Sequence, residues 1–265
     1  MFWTGVHPAG EGDARRHDLT LDASQPGPVG AVVLDIEGTT TPTSFVYDAL
    51  FPYARANLRR YLREHARSAG VLEAIRLLRA EHAGDGEVAP EWDESTPDAT
   101  LESLVSYLEW LMDRDRKSPG LKLIQGQVWK RGYDDGSLRG EVYDDVRPAL
   151  ERWKASGITL AIYSSGSVLG QQLLFSHSNA GDLTELINYY FDTGVGPKRA
   201  PESYRHIAGA LGLPAEDVLF VTDMVPEIEA ARTAGFRTCL CVRGDPTDAP
   251  HADTAVIRTF DEISL

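Results

Sequence analysis

Residues 29–41 read V-G-A-V-V-L-D-I-E-G-T-T-T, an aliphatic run ending in two carboxylates, Asp35 and Glu37, then a glycine and three threonines. A short apolar run bounded by turn residues suits a strand buried on both faces. In an open α/β sheet, ligand chemistry sits beyond the carboxyl ends of the strands. Asp35 and Glu37 are expected at that edge, with Gly38 letting the backbone turn tightly beneath them. Taken alone, the stretch also admits a plainer reading, in which Asp35 caps a turn and Glu37 stands in water. The rest of the chain decides between them.

Beyond Pro42 the pattern turns helical and stays so to about Gly140. Val46, Leu50, Tyr53, Leu58, Tyr61 and Leu62 recur at spacings near three and four, and Pro52 is expected to kink or restart that helix. Another helix is expected over 71–81, then a polar loop over 84–97. Thr96-Pro97 and Ser118-Pro119 each set a capping hydroxyl before a proline, the start signal of a helix.

From Pro148 helix and strand alternate. The expectation is a helix over 148–155, a strand over 158–163 and a helix over 168–175. A helix over 183–190 and a short strand near Phe191 follow, then a helix over 201–211 and a strand over 218–222. A helix over 227–234, a strand over 237–242 and a last strand over 255–257 complete it. Strands separated by helices imply right-handed crossovers and a parallel sheet. The fold class is α/β, a Rossmann-like parallel core with a helical cap inserted after the first strand. The core is assigned to 29–44 and 141–265 and the cap to 45–140. Residues 1–28 are read as a loose leader, with a short edge strand at 18–21.

Of 265 residues, 42% are hydrophobic and 9% aromatic, as in an ordinary globular protein. Forty acidic side chains face 26 basic ones, a formal net charge of -14. Such a field repels phosphate backbones and anionic membranes, so no nucleic-acid or membrane partner is expected. A small phosphorylated substrate remains compatible, because a metal ion and one basic group override the field locally. Lysine is scarce: Lys117, Lys122, Lys130, Lys154 and Lys198 are all there are. Cys239 and Cys241 form a C-x-C pair read as core packing, with the two thiols expected on opposite faces of a strand. No signal pattern or span of about 20 apolar residues occurs, and the cytoplasm is the expected compartment.

Four sets of polar groups fall at the presumed reactive edge: Asp35 with Glu37, Ser164 with Ser165, Lys198, and Asp223. Each has a bland role open to it. The serines can cap the next helix, Lys198 can be a solvated loop residue, and Asp223 and Glu227 can serve a helix start. Together they meet the needs of phosphoryl transfer. A carboxylate attacks phosphorus, a second acid moves protons, and hydroxyls and a lysine hold the phosphoryl oxygens. Clustered carboxylates beside a phosphate call for a divalent cation, and hard oxygen ligands favour Mg²⁺.

This order of groups resembles the haloacid dehalogenase superfamily of aspartate-nucleophile phosphatases. The stretches L-D-I-E-G-T-T-T-P, L-F-P-Y-A, D-R-K-S-P-G-L-K-L-I-Q-G-Q-V-W, I-Y-S-S-G-S-V, F-D-T-G-V-G-P-K, E-S-Y-R-H-I-A and L-F-V-T-D resemble its enolase-phosphatase (acireductone synthase) family. Glu37 is the most telling residue, since most of the superfamily has Asp there. The resemblance implies Asp35 as nucleophile and Glu37 as acid/base. It implies Ser164, Ser165 and Lys198 on the substrate, and one Mg²⁺ held by Asp35, Glu37 and Asp223. Glu37 would contribute through its backbone carbonyl. The implied substrate is 2,3-dioxo-5-(methylthio)pentyl 1-phosphate, enolised and then dephosphorylated in methionine salvage by a monomer. Trp129 and Tyr133 are candidates for recognising its dioxo end. Glu227 stands where the superfamily has a further acid, and a metal role for it is left open, as is the enolisation base.

Two rivals are weighed against this reading. Another phosphatase or a dehalogenase of the superfamily would keep Asp35, Lys198 and Asp223 but not the wording of the helical segment. A phospho-acceptor signalling module also uses aspartate, hydroxyl and lysine, but accepts phosphate on a later strand and lacks a large insert. A P-loop is excluded, since no G-x-x-x-x-G-K-[ST] occurs.

Overall fold

Strand β1 (Ala31–Leu34) is buried along its whole length, as a run of Ala, Val and Leu without polar alternation demands. It lies in the middle of a six-stranded parallel sheet of a computed structural model that describes residues 27–244 and 254–265. The other strands are β2 (Thr159–Tyr163), β3 (Tyr189–Phe191), β4 (Val218–Thr222), β5 (Arg237–Cys241) and β6 (Ala255–Ile257), in the order β3-β2-β1-β4-β5-β6. Ala31 is in register with Thr159 on one side and Val218 on the other. The strand order therefore reverses at β1, the point where such sheets open a crevice at their carboxyl edge.

Helices α1 (Phe51–His65), α2 (Ala69–Asp85), α3 (Pro97–Asp113) and α4 (Pro119–Asp134) follow β1 with no intervening strand. A π-helical turn over Phe45–Leu50 precedes α1, which restarts with Pro52 in its first turn. The anticipated start signals are physical caps: Thr96 Oγ1 accepts from Ala99 N at 3.1 Å and Ser118 Oγ from Leu121 N at 3.0 Å. Caps of this kind contribute about 1 kcal/mol each. Helix α4 packs on α1 and α2 and also on a helix of the sheet layer, α6 (Val168–Ser176). The remaining helices, α5 (Val146–Ala155), α7 (Pro201–Leu211) and α8 (Val225–Thr233), connect the strands.

Several expectations need correction. The helix expected over 183–190 is only a 3₁₀ turn at Thr184–Leu186, and the chain then joins the sheet as β3. Asn188 captures it there: its N donates to Leu160 O at 2.8 Å and its Oδ1 accepts from Leu160 N at 3.0 Å. Helix α5 begins two residues before Pro148, because proline is tolerated within a first turn. Cys239 and Cys241 share one face of β5, contrary to expectation, since residues two apart on a strand point the same way. Both are free, buried thiols in the same apolar cluster as Ile257 and Phe260. The edge strand expected at 18–21 lies outside the described residues.

Candidate active site

The carboxyl ends of β1 and β4 bring Asp35 and Asp223 to one edge. Asp35 N donates to Val221 O at 2.9 Å, which extends the β1–β4 pairing by one bond. The turn that follows needs Gly38, with φ +69°. A Cβ on Gly38 would stand 2.2 Å from Asp223 Oδ2, so the missing side chain is the space that Asp223 occupies. No side chain caps α8, so Asp223 is not spent on a helix start.

Asp35 Oδ1 accepts from its neighbour's amide, Ile36 N, at 2.7 Å and from Lys198 Nζ at 2.6 Å. Lys198 Nζ also donates to Glu227 Oε2 at 2.8 Å. A loop lysine ordinarily stands in water, but the Lys198 side chain is only 10% exposed. Burial pulls its pKa down, and the Asp35 and Glu227 carboxylates outweigh burial and push it up. Thr222 Oγ1 lies 3.1 Å from Asp35 Oδ2 and 2.9 Å from Glu227 Oε2, and accepts from Met224 N at 3.2 Å. Glu227 is thus engaged with lysine and threonine.

Four carboxyl groups crowd this edge: Asp35, Glu37, Asp223 and Glu227. Burial, then the Asp35 charge, pushes Asp223 up to about 6 and Glu227 up to about 7. The same two causes raise Glu37, with Lys117 and Lys198 opposing them. Two lysines do not neutralise four acids.

Ser164 and Ser165 follow β2 at the same edge. Neither caps α6, because Ser167 does so, its Oγ accepting from Gly170 N at 3.2 Å. Ser164 is buried and its Oγ accepts from Gly166 N at 3.1 Å. Gln171 Nε2 holds this loop, donating to Gly166 O and Phe191 O at 2.9 Å each.

A cavity of about 420 Å³ opens from this loop toward the helical segment, within the range typical of small-ligand sites. Glu37, Ser164 and Ser165 line it, as do Lys117, Lys122, Gln125, Trp129 and Tyr133. Asp35, Lys198 and Asp223 are not among its lining residues and stand at the adjacent edge. Lys122 reaches from α4 to the loop after β3, donating from Nζ to Thr193 Oγ1 at 2.8 Å. Asp115, also on the cavity wall, takes φ +47°, and Lys117 pairs with it at 2.8 Å.

The structure thus brings Asp35, Lys198 and Glu227 into direct contact, sets Asp223 beside them, and puts Glu37 and the two serines on the cavity. Sequence reasoning did not single out Thr222, Gln171 or Lys122. A polar residue ending an otherwise apolar strand was a usable signal for Thr222, and the scarcity of lysine was one for Lys122. Among the described residues, no three His, Cys, Asp or Glu side chains stand together at metal-binding geometry.

A haloacid dehalogenase-like hydrolase family model matches residues 29–235. The enolase-phosphatase E1 of Synechococcus elongatus is 45% identical over 90% of this chain and 99% of its own. That of Pseudomonas aeruginosa is 47% identical over 86% of this chain and 99% of its own. The crystal structure of the UTR4 protein of Saccharomyces cerevisiae superposes with a TM-score of 0.70 at 32% identity, covering 89% of this chain and 100% of that one. CbbY of Rhodobacter sphaeroides, in complex with phosphate, shares the fold at a TM-score of 0.52 and 16% identity, covering 88% and 96%. The chain belongs to the haloacid dehalogenase-like hydrolases and, within them, to the enolase-phosphatase E1 family.

Proposed function

We propose that this protein is a Mg²⁺-dependent enolase-phosphatase that converts 2,3-dioxo-5-(methylthio)pentyl 1-phosphate to its acireductone and phosphate, the step of methionine salvage anticipated from the sequence. The observation that carries this reading is the buried Asp35–Lys198–Glu227 contact beside a cavity lined by Glu37, Ser164 and Ser165.

Asp35 is the nucleophile. Its Oδ1 is held by Ile36 N and Lys198, and attack on phosphorus forms an aspartyl-phosphate while the ester oxygen leaves. Glu37, with its pKa raised by burial and Asp35, holds the proton that the leaving oxygen needs and then takes one from the hydrolytic water. Lys198 and the loop of Ser164 and Ser165 hold phosphoryl oxygens, and Gln171 keeps that loop in place. Glu227 and Thr222 position Lys198 and Asp35.

The donor set fits one Mg²⁺: hard carboxylate oxygens from Asp35 and Asp223, which stands against Gly38, with the Glu37 carbonyl as the third ligand. The ion would neutralise the charge that accumulates on the phosphoryl oxygens. Enolisation moves a proton from the carbon that bears the phosphate ester to the adjacent ketone oxygen, beside Glu37, a cavity residue that feels the charges of Lys117 and Asp115. We take residues 45–140 as a cap over residues 29–44 and 141–265, and the working unit as a monomer, as the family resemblance implies. No helix of the described residues is long and apolar enough to cross a membrane, and the free thiols accord with a reducing cytoplasm.

The test follows one reaction by two probes, phosphate release and the ultraviolet absorbance of the enolic product, with Mg²⁺ and then with a chelator. Both signals should appear with Mg²⁺ and vanish on chelation. Phosphate without the enolic chromophore would reduce the reading to a plain phosphatase.

A further inference from the structure

Gln125 lies on α4 one turn after Leu121 and one turn before Trp129, and all three line the cavity. It is 7% exposed, yet its carboxamide makes no hydrogen bond among the described residues. Unlike the Tyr133 hydroxyl, its oxygen and nitrogen are not sealed in by protein atoms, so the exposed part of Gln125 includes both. Polar side chains buried to this degree normally find protein partners, and one that has none is free for a ligand.

The cations on the same wall are already committed. Lys122 donates to Thr193 and Lys117 pairs with Asp115, while Arg55 and Arg116 pair with Asp113 and Asp85. Nor do the two aromatics of α4 offer a polar atom: Trp129 Nε1 donates to Leu50 O at 2.9 Å, and the Tyr133 hydroxyl is closed off from the cavity.

The place of Gln125 along the cavity selects its partner. A Cβ on its neighbour Gly126 would stand 3.2 Å from Leu169 Cδ2 and 3.8 Å from Ser167 Oγ, so this turn of α4 lies over the loop of Ser164 and Ser165. The phosphoryl oxygens have Lys198 and that loop, and the ketone at C2 takes up the enolisation proton beside Glu37. The ketone at C3 is left without a partner. It is four bonds from phosphorus, about 5 Å in an extended chain, and so stays close to the loop. A ketone oxygen only accepts hydrogen bonds, and a carboxamide supplies a neutral donor to an edge already crowded with charge.

We propose that the Gln125 carboxamide donates from Nε2 to the C3 ketone oxygen and so makes the pocket select a 2,3-dicarbonyl over a 2-ketone. The inference rests on the enolase-phosphatase reading above and adds the residue that reads the second carbonyl.

The experiment compares the natural enzyme with Gln125→Met, which keeps the length of the side chain and removes the donor. It measures KM and kcat for the dioxo substrate, and the inhibition constant of 2-oxo-5-(methylthio)pentyl 1-phosphate, which lacks the C3 ketone, as its competitor. Gln125→Met should raise KM about five- to tenfold with kcat within about twofold, and leave the inhibition constant within about twofold. A glutamine that only packs, or that holds the phosphate, would weaken both ligands by the same factor, which overturns the proposal. An unmoved KM overturns it equally. A natural enzyme inactive on the dioxo substrate would remove the enolase-phosphatase reading itself, an outcome distinct from activity with parallel losses.

Discussion

The carboxyl edge of the sheet and helix α4 face the same small space but are built in opposite ways. At the edge, charges are buried and cross-linked: Lys198 bridges Asp35 and Glu227, and Thr222 lies between the same two acids. On α4, the groups facing the cavity are mainly apolar or aromatic, and of its two large aromatics one has a satisfied polar atom and the other an orphan. Buried, interlocked charges hold a reacting centre in one geometry, at a desolvation cost that only function justifies. A wall that is largely apolar selects a shape. Changes at the edge should therefore act on kcat, and changes on α4 on KM.

The sharpest way to break this contrast is Asp35→Asn. It should keep the fold by circular dichroism and lower phosphate release by ~10⁴-fold or more, the usual loss on removing a nucleophile. Full activity would return the edge to a structural role.

Lys198→Met comes next. It should lower kcat by ~10³-fold and leave Asp35 and Glu227 buried without a counter-charge, costing about 3–5 kcal/mol of stability. Chemical denaturation in the presence of a chelator would measure that loss, because a bound cation would mask it. A normal kcat in a destabilised protein would make Lys198 purely structural.

Glu227→Gln keeps the shape but weakens the grip on Lys198, and kcat should fall by about 10- to 100-fold with KM nearly unchanged. A change confined to KM would move Glu227 from the chemistry to the binding side of the comparison.

Trp129→Phe tests the other side. Losing the Nε1–Leu50 O bond loosens the wall and should raise KM by about fivefold while kcat stays within about twofold. A fall in kcat comparable to that of Glu227→Gln would erase the division of labour.

The smallest effect concerns groups in neither region. Burial, then their mutual proximity, pushes the Cys239 thiol up to about 12, and burial does the same for Cys241. A thiol reacts as the thiolate, which is populated only as the pH approaches the pKa, so at pH 8 both should resist iodoacetamide until the protein is unfolded. Mass spectrometry before and after urea would register the difference.

Much of the fold was legible because its signals are local. The run Ala31–Leu34, the caps at Thr96 and Ser118, and Pro201 opening α7 depend on neighbours in sequence, and the structure honours each. The miss over 183–190 has the opposite cause. Its apolar residues carry a helical spacing, yet Asn188 is claimed by Leu160, 28 residues earlier, and long-range pairing overrode local preference. The C-x-C pair failed on the geometry of the strand, since residues two apart share a face.

By itself, the sequence determined which residues could do the chemistry: Asp35 and Glu37 after one strand, Ser164 and Ser165 after another, Lys198 in a loop, Asp223 after a third. Strand periodicity and the rule that α/β sheets act at their carboxyl edge suffice for that, because both follow from backbone geometry. Only the tertiary structure decided how the groups are spent. It gave Glu227 to Lys198, freed the serines by letting Ser167 cap α6, satisfied Trp129 and left Tyr133 without a partner. Hydrogen-bond capacity is used up in space, between residues far apart in the chain, and a one-dimensional pattern carries no account of it.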